Sequence, residues 1–290
     1  MADSVTMTRR VAFSAGHRYW RDDLDEGENR ALYGPWASPY VHGHNYTLDA
    51  RVTGHIDPKT GMVVNIKRVD DVLKERILAV YDGKSLNDEV PAFRNRSATL
   101  EHLLLDIADR LGDEFQVRTH LEGKGEAKVT LSGLRLAEKS DLWAEMNLPE
   151  HTMTLTRTYE FAAAHRLHSP WLSDEENRTL FGKCNSANGH GHNYLLEVTV
   201  GGRPNPQTGM MVDLGILDQT VERLIIDRYD HRNLDMDVPE LEGQVTTSEN
   251  VCRAIYKELD GQLPAQLERV RLWETARNAF EIERTRLTSG

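Results

Sequence analysis

The sequence predicts an α+β fold made twice: two tandem domains, residues 1–148 and 149–290, each an antiparallel four-stranded sheet carrying two helices on one face. Three observations predict it. One constant offset aligns His17 with His165, Gly34 with Gly182, His44 with His192, Gly61-Met62 with Gly209-Met210 and Pro91 with Pro239, so the chain is a duplication. Each copy opens with two segments in which apolar and polar residues alternate, the period of a half-buried strand. Each then runs through two segments of helical spacing into a closing extended segment.

In chain order, Thr8–Gly16 and Thr154–Ala164 read as first strands, each delivering a histidine at its end, His17 or His165. After a polar loop, His42–Thr53 and His190–Gly201 alternate strongly and read as second strands. Val69, Val72, Leu73, Ile77 and Val80 have helical spacing, as do Leu217, Val221, Leu224 and Ile225. Second helices follow at Leu100–Leu111 and Glu249–Leu259, the latter opened by an expected capping box over Thr246–Glu249. Ala127–Arg135 and Glu268–Thr275 close the copies, with Glu122–Glu126 expected as an extra loop in the first. Glu145–His151 reads as a short connector interrupted by Pro149, and without a longer linker the halves are expected to pack together.

Composition excludes some function classes. A formal net charge of -11 leaves no basic stripe to replace phosphate counterions, which argues against a nucleic-acid partner. No apolar stretch has the length of a signal peptide or membrane span, so no membrane partner is expected. With Cys184 and Cys252 as its two cysteines, the chain is expected to be cytoplasmic and reduced.

The chemistry concentrates in a repeated motif. His-Gly-His-Asn-Tyr occurs at His42–Tyr46 and at His190–Tyr194. In a strand, side chains two apart share a face, so both imidazoles of each pair can converge on one ion. One strand histidine is more often a packed or surface residue than a ligand. A third histidine recurring at the same offset makes metal the better reading, with His17, His42 and His44 in one site and His165, His190 and His192 in the other. All-nitrogen ligation favours zinc, one per half, with iron, nickel and copper as alternatives. Three protein ligands leave an open position, the arrangement of a catalytic site.

The stretch Phe161–Leu167, then Ser173–Tyr194 with Cys184 inside it, Thr208-Gly-Met, Asp230-His-Arg-Asn-Leu-Asp, Thr246-Thr-Ser-Glu-Asn and Glu274-Thr275 resembles the 6-pyruvoyltetrahydropterin synthase and 6-carboxytetrahydropterin synthase family. The first half resembles it more weakly. The resemblance implies two tandem tunnelling-fold domains, units that assemble into rings around a barrel of strands. It also implies a zinc-dependent lyase acting on 7,8-dihydroneopterin triphosphate with elimination of triphosphate. Cys184 matches the family's catalytic cysteine. A free cysteine is more often a small buried hydrophobe, but a Gly/Asn-rich loop beside Lys183 favours a thiolate. Asp230 and His231 match a pair that assists proton transfer, and on sequence alone could equally be a solvated turn. Glu274 matches the glutamate that anchors the pterin ring, and its plainer reading is an exposed strand-end acid. Thr247 is a further substrate-binding candidate, against a competing role in opening the helix.

The first half departs from this pattern: Trp36 stands in the place of Cys184, Gly83 in that of His231 and, by the register read from sequence, Gly133 in that of Glu274. It is therefore expected to hold metal through His17, His42 and His44 and to have lost the reaction, serving assembly, with a second, different ligand or reaction as the alternative. The resemblance places the cysteine and the Asp-His pair of one site on neighbouring subunits, so a homotrimer with six domains is expected. Two alternatives stand. One is the 6-carboxytetrahydropterin synthase of queuosine biosynthesis, which acts on the same substrate and releases acetaldehyde as well; the long Ser173–Asn188 loop favours the pyruvoyl type. The other, of a different class, is a non-catalytic pterin- or metal-binding assembly protein.

Overall fold

The computed structural model describes residues 4–94, 96–112 and 129–285. The chain divides into two compact units, Met1–Leu155 with Gly202–Met211, and Thr156–Gly201 with Val212–Gly290. In the first unit, β1 (Ser4–His17) and β2 (His42–His55) pair antiparallel along their whole length, from Ser4 opposite His55 to His17 opposite His42. The two-residue β3 (Lys84–Ser85) runs parallel to the end of β1. On the other side, β4 (Thr130–Lys139) pairs with β2 and β5 (Leu142–Asn147) with β4, both antiparallel, giving the order β5-β4-β2-β1-β3.

The second unit repeats this with β6 (Thr152–His165, from Thr156 onward), β7 (His190–Gly201), the short β8 (Arg232–Asn233) parallel to β6, β9 (Gln266–Thr275) and β10 (Asn278–Glu283). Its order is β10-β9-β7-β6, with β8 beside β6. Even the irregularities repeat: the β2–β4 register slips between Arg51 and Val52, and the β7–β9 register between Thr199 and Val200. Each unit is thus the four-stranded antiparallel sheet that alternation predicted.

Two helices in each unit cover one face, because their apolar positions recur at helical spacing. Val69, Val72 and Leu73 of the Ile66–Leu73 helix and Leu103, Leu104 and Ile107 of the Leu100–Leu111 helix are buried, as are Leu217, Val221, Val251 and Ile255 in the second unit. They meet the inward residues of the strands: Phe13, Ala15 and His17 on β1, and Tyr46, Leu48, Ala50 and Val52 on β2. His17 and His165 are therefore the last inward positions of β1 and β6, and their imidazoles emerge where the core ends.

Several elements differ from the sequence reading. The polar loop before each His-Gly-His contains a helix, Glu26–Tyr33 or Asp174–Phe181, held by a true capping box from Asp25 and Glu28 or from Ser173 and Glu176. The box expected over Thr246–Glu249 is absent: the N-cap of the Ser248–Leu259 helix is Thr247, whose hydroxyl accepts from Asn250 N. The Ile66–Leu73 and Leu214–Val221 helices continue through π-helical turns, Lys74–Leu78 and Glu222–Ile226, which apolar spacing does not reveal. β5 takes up Glu145–Asn147, so the connector narrows to the turn before β6. Glu122–Glu126 lies outside the described residues, as does the start of Ala127–Arg135.

Candidate metal centres and active site

Each unit brings its three histidines together, as the motif predicted: the ligand atoms of His17, His42 and His44, and those of His165, His190 and His192, lie within 4.8 Å of one another. Both clusters have the same build. Phe13 stacks on Tyr46 at 5.2 Å and Phe161 on Tyr194 at 5.0 Å, and Tyr46 and Tyr194 pack edge-on against His44 and His192. The buried first histidine is fixed by the chain: His17 Nδ1 donates to Ala98 O at 2.6 Å and His165 Nδ1 to Thr246 O at 2.7 Å. That bond sets the tautomer and aims each Nε2, with its lone pair, at the cluster.

The clusters fit a metal ion. Nε2 of His17, His44 and His192 is buried without a hydrogen-bond partner, and His165 Nε2 faces His190 Nε2 at 3.2 Å. Neutral imidazoles with lone pairs converging at such distances are what a divalent ion satisfies. Burial, followed by the other cluster histidines, holds His190 below the ordinary imidazole range, and burial does the same for His42 and His192. In the first unit burial takes His17 down to about 3 and His44 to about 4. His17, His42, His44, His190 and His192 are therefore deprotonated and ready to ligate near neutrality.

The remaining sequence candidates lie in the second unit. Cys184 is half-buried in the short 3-10 turn Gly182–Asn185, and its carbonyl accepts from Leu167 N at 2.9 Å. Gly189, at φ 69°, lets the loop close onto β6: a Cβ there would lie 2.9 Å from His165 O. Glu274, next to last in β9, has one oxygen 3.9 Å from His165 Nε2 and 4.0 Å from His192 Nε2. Ser248 Oγ donates to Glu274 Oε1 at 2.6 Å and Asn278 Nδ2 to Oε2 at 2.7 Å. Burial alone would raise the Glu274 pKa, but Ser248, Asn278 and the two imidazoles outweigh it and hold the carboxyl below its usual range. Thr247 uses its hydroxyl as the helix cap next door.

Asp230 and His231, just before β8, form a true pair that packs against Ala162 of β6. Asp230 accepts from Ala162 N at 2.7 Å and faces His231 Nδ1 at 2.7 Å, contacts that hold its carboxyl below the usual range. His231 N donates to Ala162 O, and the residue sits at φ 56°, a left-handed conformation that costs a non-glycine residue energy. The groove beside the pair is lined by Ala162, Ala164, His192, Asn193 and Asn233 among others, but not by Cys184. Among the described residues no hydrogen bond joins Cys184 to the pair.

The first unit keeps the frame and changes the side chains. Trp36 ends the 3-10 turn Gly34–Trp36, the counterpart of the Cys184 turn. Asp82 accepts from Ser14 N as Asp230 does from Ala162 N, and Gly83, at φ 70°, donates to Ser14 O as His231 does to Ala162 O. One register expectation is overturned. Leu48 pairs with Leu136 where Leu196 pairs with Leu272, which puts Glu138, not Gly133, opposite Glu274. The connection from Leu111 to Thr130 is longer than that from Leu259 to Gln266, and this displaced the sequence register. Glu138 is buried, with Oε1 3.4 Å from His44 Nε2. Sequence reasoning also missed Ser248 and Asn278, whose only signal is nearness to Glu274 once the strands are paired.

Comparison with known proteins agrees with this duplicated build. A family model for 6-pyruvoyl tetrahydropterin synthase matches twice, over residues 6–149 and 154–285. Human 6-pyruvoyl tetrahydrobiopterin synthase is 49% identical over 125 residues, 43% of this chain and 86% of that protein. The Drosophila melanogaster 6-pyruvoyl tetrahydrobiopterin synthase is 45% identical over 126 residues, 43% of this chain and 75% of its own. A 6-carboxy-5,6,7,8-tetrahydropterin synthase of Rickettsia conorii is 30% identical over 78 residues, 27% of this chain and 48% of that protein. The solved structure of the Caenorhabditis elegans 6-pyruvoyl tetrahydropterin synthase aligns with a TM-score of 0.45 and 42% identity, covering 46% of this chain and 96% of that one. No helix among the described residues is long and apolar enough to cross a membrane. The chain belongs to the 6-pyruvoyl tetrahydropterin synthase family and carries that family's tunnelling-fold domain twice in tandem.

Proposed function

We propose that the second unit is a zinc-dependent lyase of the 6-pyruvoyltetrahydropterin synthase type, acting on 7,8-dihydroneopterin triphosphate with elimination of triphosphate. The observation that carries this reading is a contrast on one frame: in addition to its histidines the second unit has Cys184, Asp230-His231 and a carboxylate held by two donors, where the first has Trp36 and Gly83. A non-catalytic binder needs neither the cysteine nor the pair.

Zinc, when bound by His165, His190 and His192, supplies Lewis acidity toward the side-chain oxygens of the substrate. Glu274, kept ionised, accepts two parallel N–H bonds from the amino-pyrimidine edge and fixes the ring. Cys184, as thiolate, takes a proton from a side-chain carbon and returns one after triphosphate has left. His231, oriented by Asp230, carries protons to and from the side-chain oxygens.

Since Cys184 and the Asp230-His231 pair are not joined within the unit, the reading includes a site shared between chains. A homotrimer is the proposed assembly, and a fully active monomer by native mass measurement would refute it. The reaction itself is tested by triphosphate release from zinc-loaded protein. Release lost in Cys184→Ala is expected; no release by folded, zinc-replete wild-type protein would favour the binding reading.

A further inference from the structure

The residue after the first histidine is an arginine in both copies, Arg18 and Arg166, and the two units treat it differently. In the first unit the guanidinium is neutralised: Arg18 Nη1 donates to Asp88 Oδ2 at 3.0 Å and Nη2 to Asp22 Oδ2 at 3.0 Å. The constant offset between the copies puts Met236 in the place of Asp88 and Pro170 in that of Asp22. Among the described residues no carboxylate pairs with the Arg166 guanidinium, whose contacts are Asn185 O and His168 Nδ1.

Arg166 is nonetheless held at both ends. Its backbone N–H donates to Asp235 Oδ2 at 2.6 Å, and Asp235 Oδ1 accepts at 2.7 Å from Thr246 Oγ, of the residue whose carbonyl fixes His165. Its Nε donates to Asn185 O at 3.2 Å, one residue past Cys184. An unneutralised cation is therefore fixed against the cysteine turn. Two donors, Asn185 Nδ2 at 3.1 Å and Arg166 Nη2 at 3.4 Å, face His168 Nδ1. That nitrogen carries the lone pair, so the imidazole proton stands on Nε2 as a further donor. Lys183 is exposed on the same turn. The first unit has Trp20 and Pro35 at the positions of His168 and Lys183.

Carboxylates that brace an arginine also cancel its attraction for an anion. Their loss around Arg166, with two more basic side chains on the same segment, leaves a local positive field in a chain of net charge -11. A guanidinium offers phosphate oxygens a planar fork of N–H donors. We propose that Arg166, supported by His168 and Lys183, forms the subsite that takes the triphosphate of the substrate. The assignment rests on the reading of the second unit as acting on a pterin triphosphate. Arg18, closed off by Asp22 and Asp88, gives the first unit no such subsite, which accords with the absence of a base at Trp36 and Gly83.

Inorganic triphosphate is the probe, titrated calorimetrically into zinc-replete full-length protein with the bound zinc measured afterwards. Arg166→Gln and Met236→Asp are each expected to weaken its binding at least about tenfold, and Arg18→Gln to leave it unchanged. Met236 is 83% exposed, so Met236→Asp restores the carboxylate of the first unit while keeping Arg166 and its turn. Unchanged affinity in Met236→Asp or in folded Arg166→Gln, or no binding by the wild type, would overturn the subsite. An equal loss in Arg18→Gln would overturn it too, by showing that the anion reads net charge alone. Turnover of 7,8-dihydroneopterin triphosphate by the same preparations reads the reaction separately: active protein whose variants keep full triphosphate affinity contradicts the subsite and leaves the reaction standing.

Discussion

Asn278 donates its side-chain amide to Glu274 Oε2 at 2.7 Å across the turn between β9 and β10, and Ser248 takes the other oxygen. A carboxylate held at both oxygens has its plane fixed, which parallel recognition of an amino-pyrimidine requires. Leucine occupies both equivalent positions in the first unit, at Leu142 and Leu100, so the frame accommodates it. Asn278→Leu and Ser248→Leu are each expected to fold, retain zinc and lose roughly ten- to a hundredfold in kcat/KM, mainly through KM, since a hydrogen bond to a charged group is worth about 1.5–3 kcal/mol. Steady-state kinetics with metal analysis checks this; unchanged KM would remove Glu274 from substrate binding.

His231 and Gly83 offer a test of strain at the proton-transfer pair. Both backbones are left-handed, at φ 56° and 70°, and both donate to the same kind of carbonyl on the first strand. His231→Gly is expected to abolish turnover and to be more stable than His231→Ala by about 1 kcal/mol, because alanine keeps the left-handed penalty. Denaturant melts of the two variants decide it, and equal stability would show that the conformation carries no cost.

The two cysteines should separate by reactivity. Cys252 is buried, with Sγ 3.8 Å from Val270 O, and burial pushes its thiol up to about 12. Cys184 is half-exposed in its turn. Iodoacetamide is expected to label Cys184 first, and substrate to slow that labelling. Equal, slow labelling of both would speak against a thiolate base.

Acid should act on the metal-free protein through the buried imidazoles. Burial sets His17 at about 3 and His44 at about 4, against an ordinary 6.5. As pH falls below 6.5 the unfolded chain gains protons that the folded chain refuses, so their contribution to stability declines toward the folded values. Glu101, pushed up to about 6 by burial from an ordinary 4.5, works in the opposite direction: its folded form holds the extra proton between those values, so its contribution grows as pH falls. Two imidazoles with larger shifts outweigh one carboxyl. Chelator-treated protein should therefore lose Tm from about pH 6.5 downward, and zinc, which competes with those protons, should raise Tm most near neutrality. A flat Tm for metal-free protein over this range would contradict the buried neutral histidines.

Much of this was legible in the sequence because strands and histidines obey short-range rules. His-x-His with a third histidine at a constant offset placed both clusters, and alternation placed β1, β2, β6 and β7. What escaped depended on long-range register. Glu138 was hidden by the longer connection before β4, and Ser248 and Asn278 gain meaning only once β9, β10 and a helix N-terminus converge on Glu274. The Asp174–Phe181 helix was readable from Ser173 and Glu176, but its polar surface made it resemble a loop. Thr247 showed the reverse: a capping signal was present, one residue out of register.

The most direct test of the account is mass spectrometry of the products formed from 7,8-dihydroneopterin triphosphate by zinc-loaded protein, with Cys184→Ala alongside. A 6-pyruvoyl product with triphosphate, lost in the variant, is the predicted result. Formation of 6-carboxytetrahydropterin with acetaldehyde, or no turnover by folded and zinc-replete protein, would contradict it.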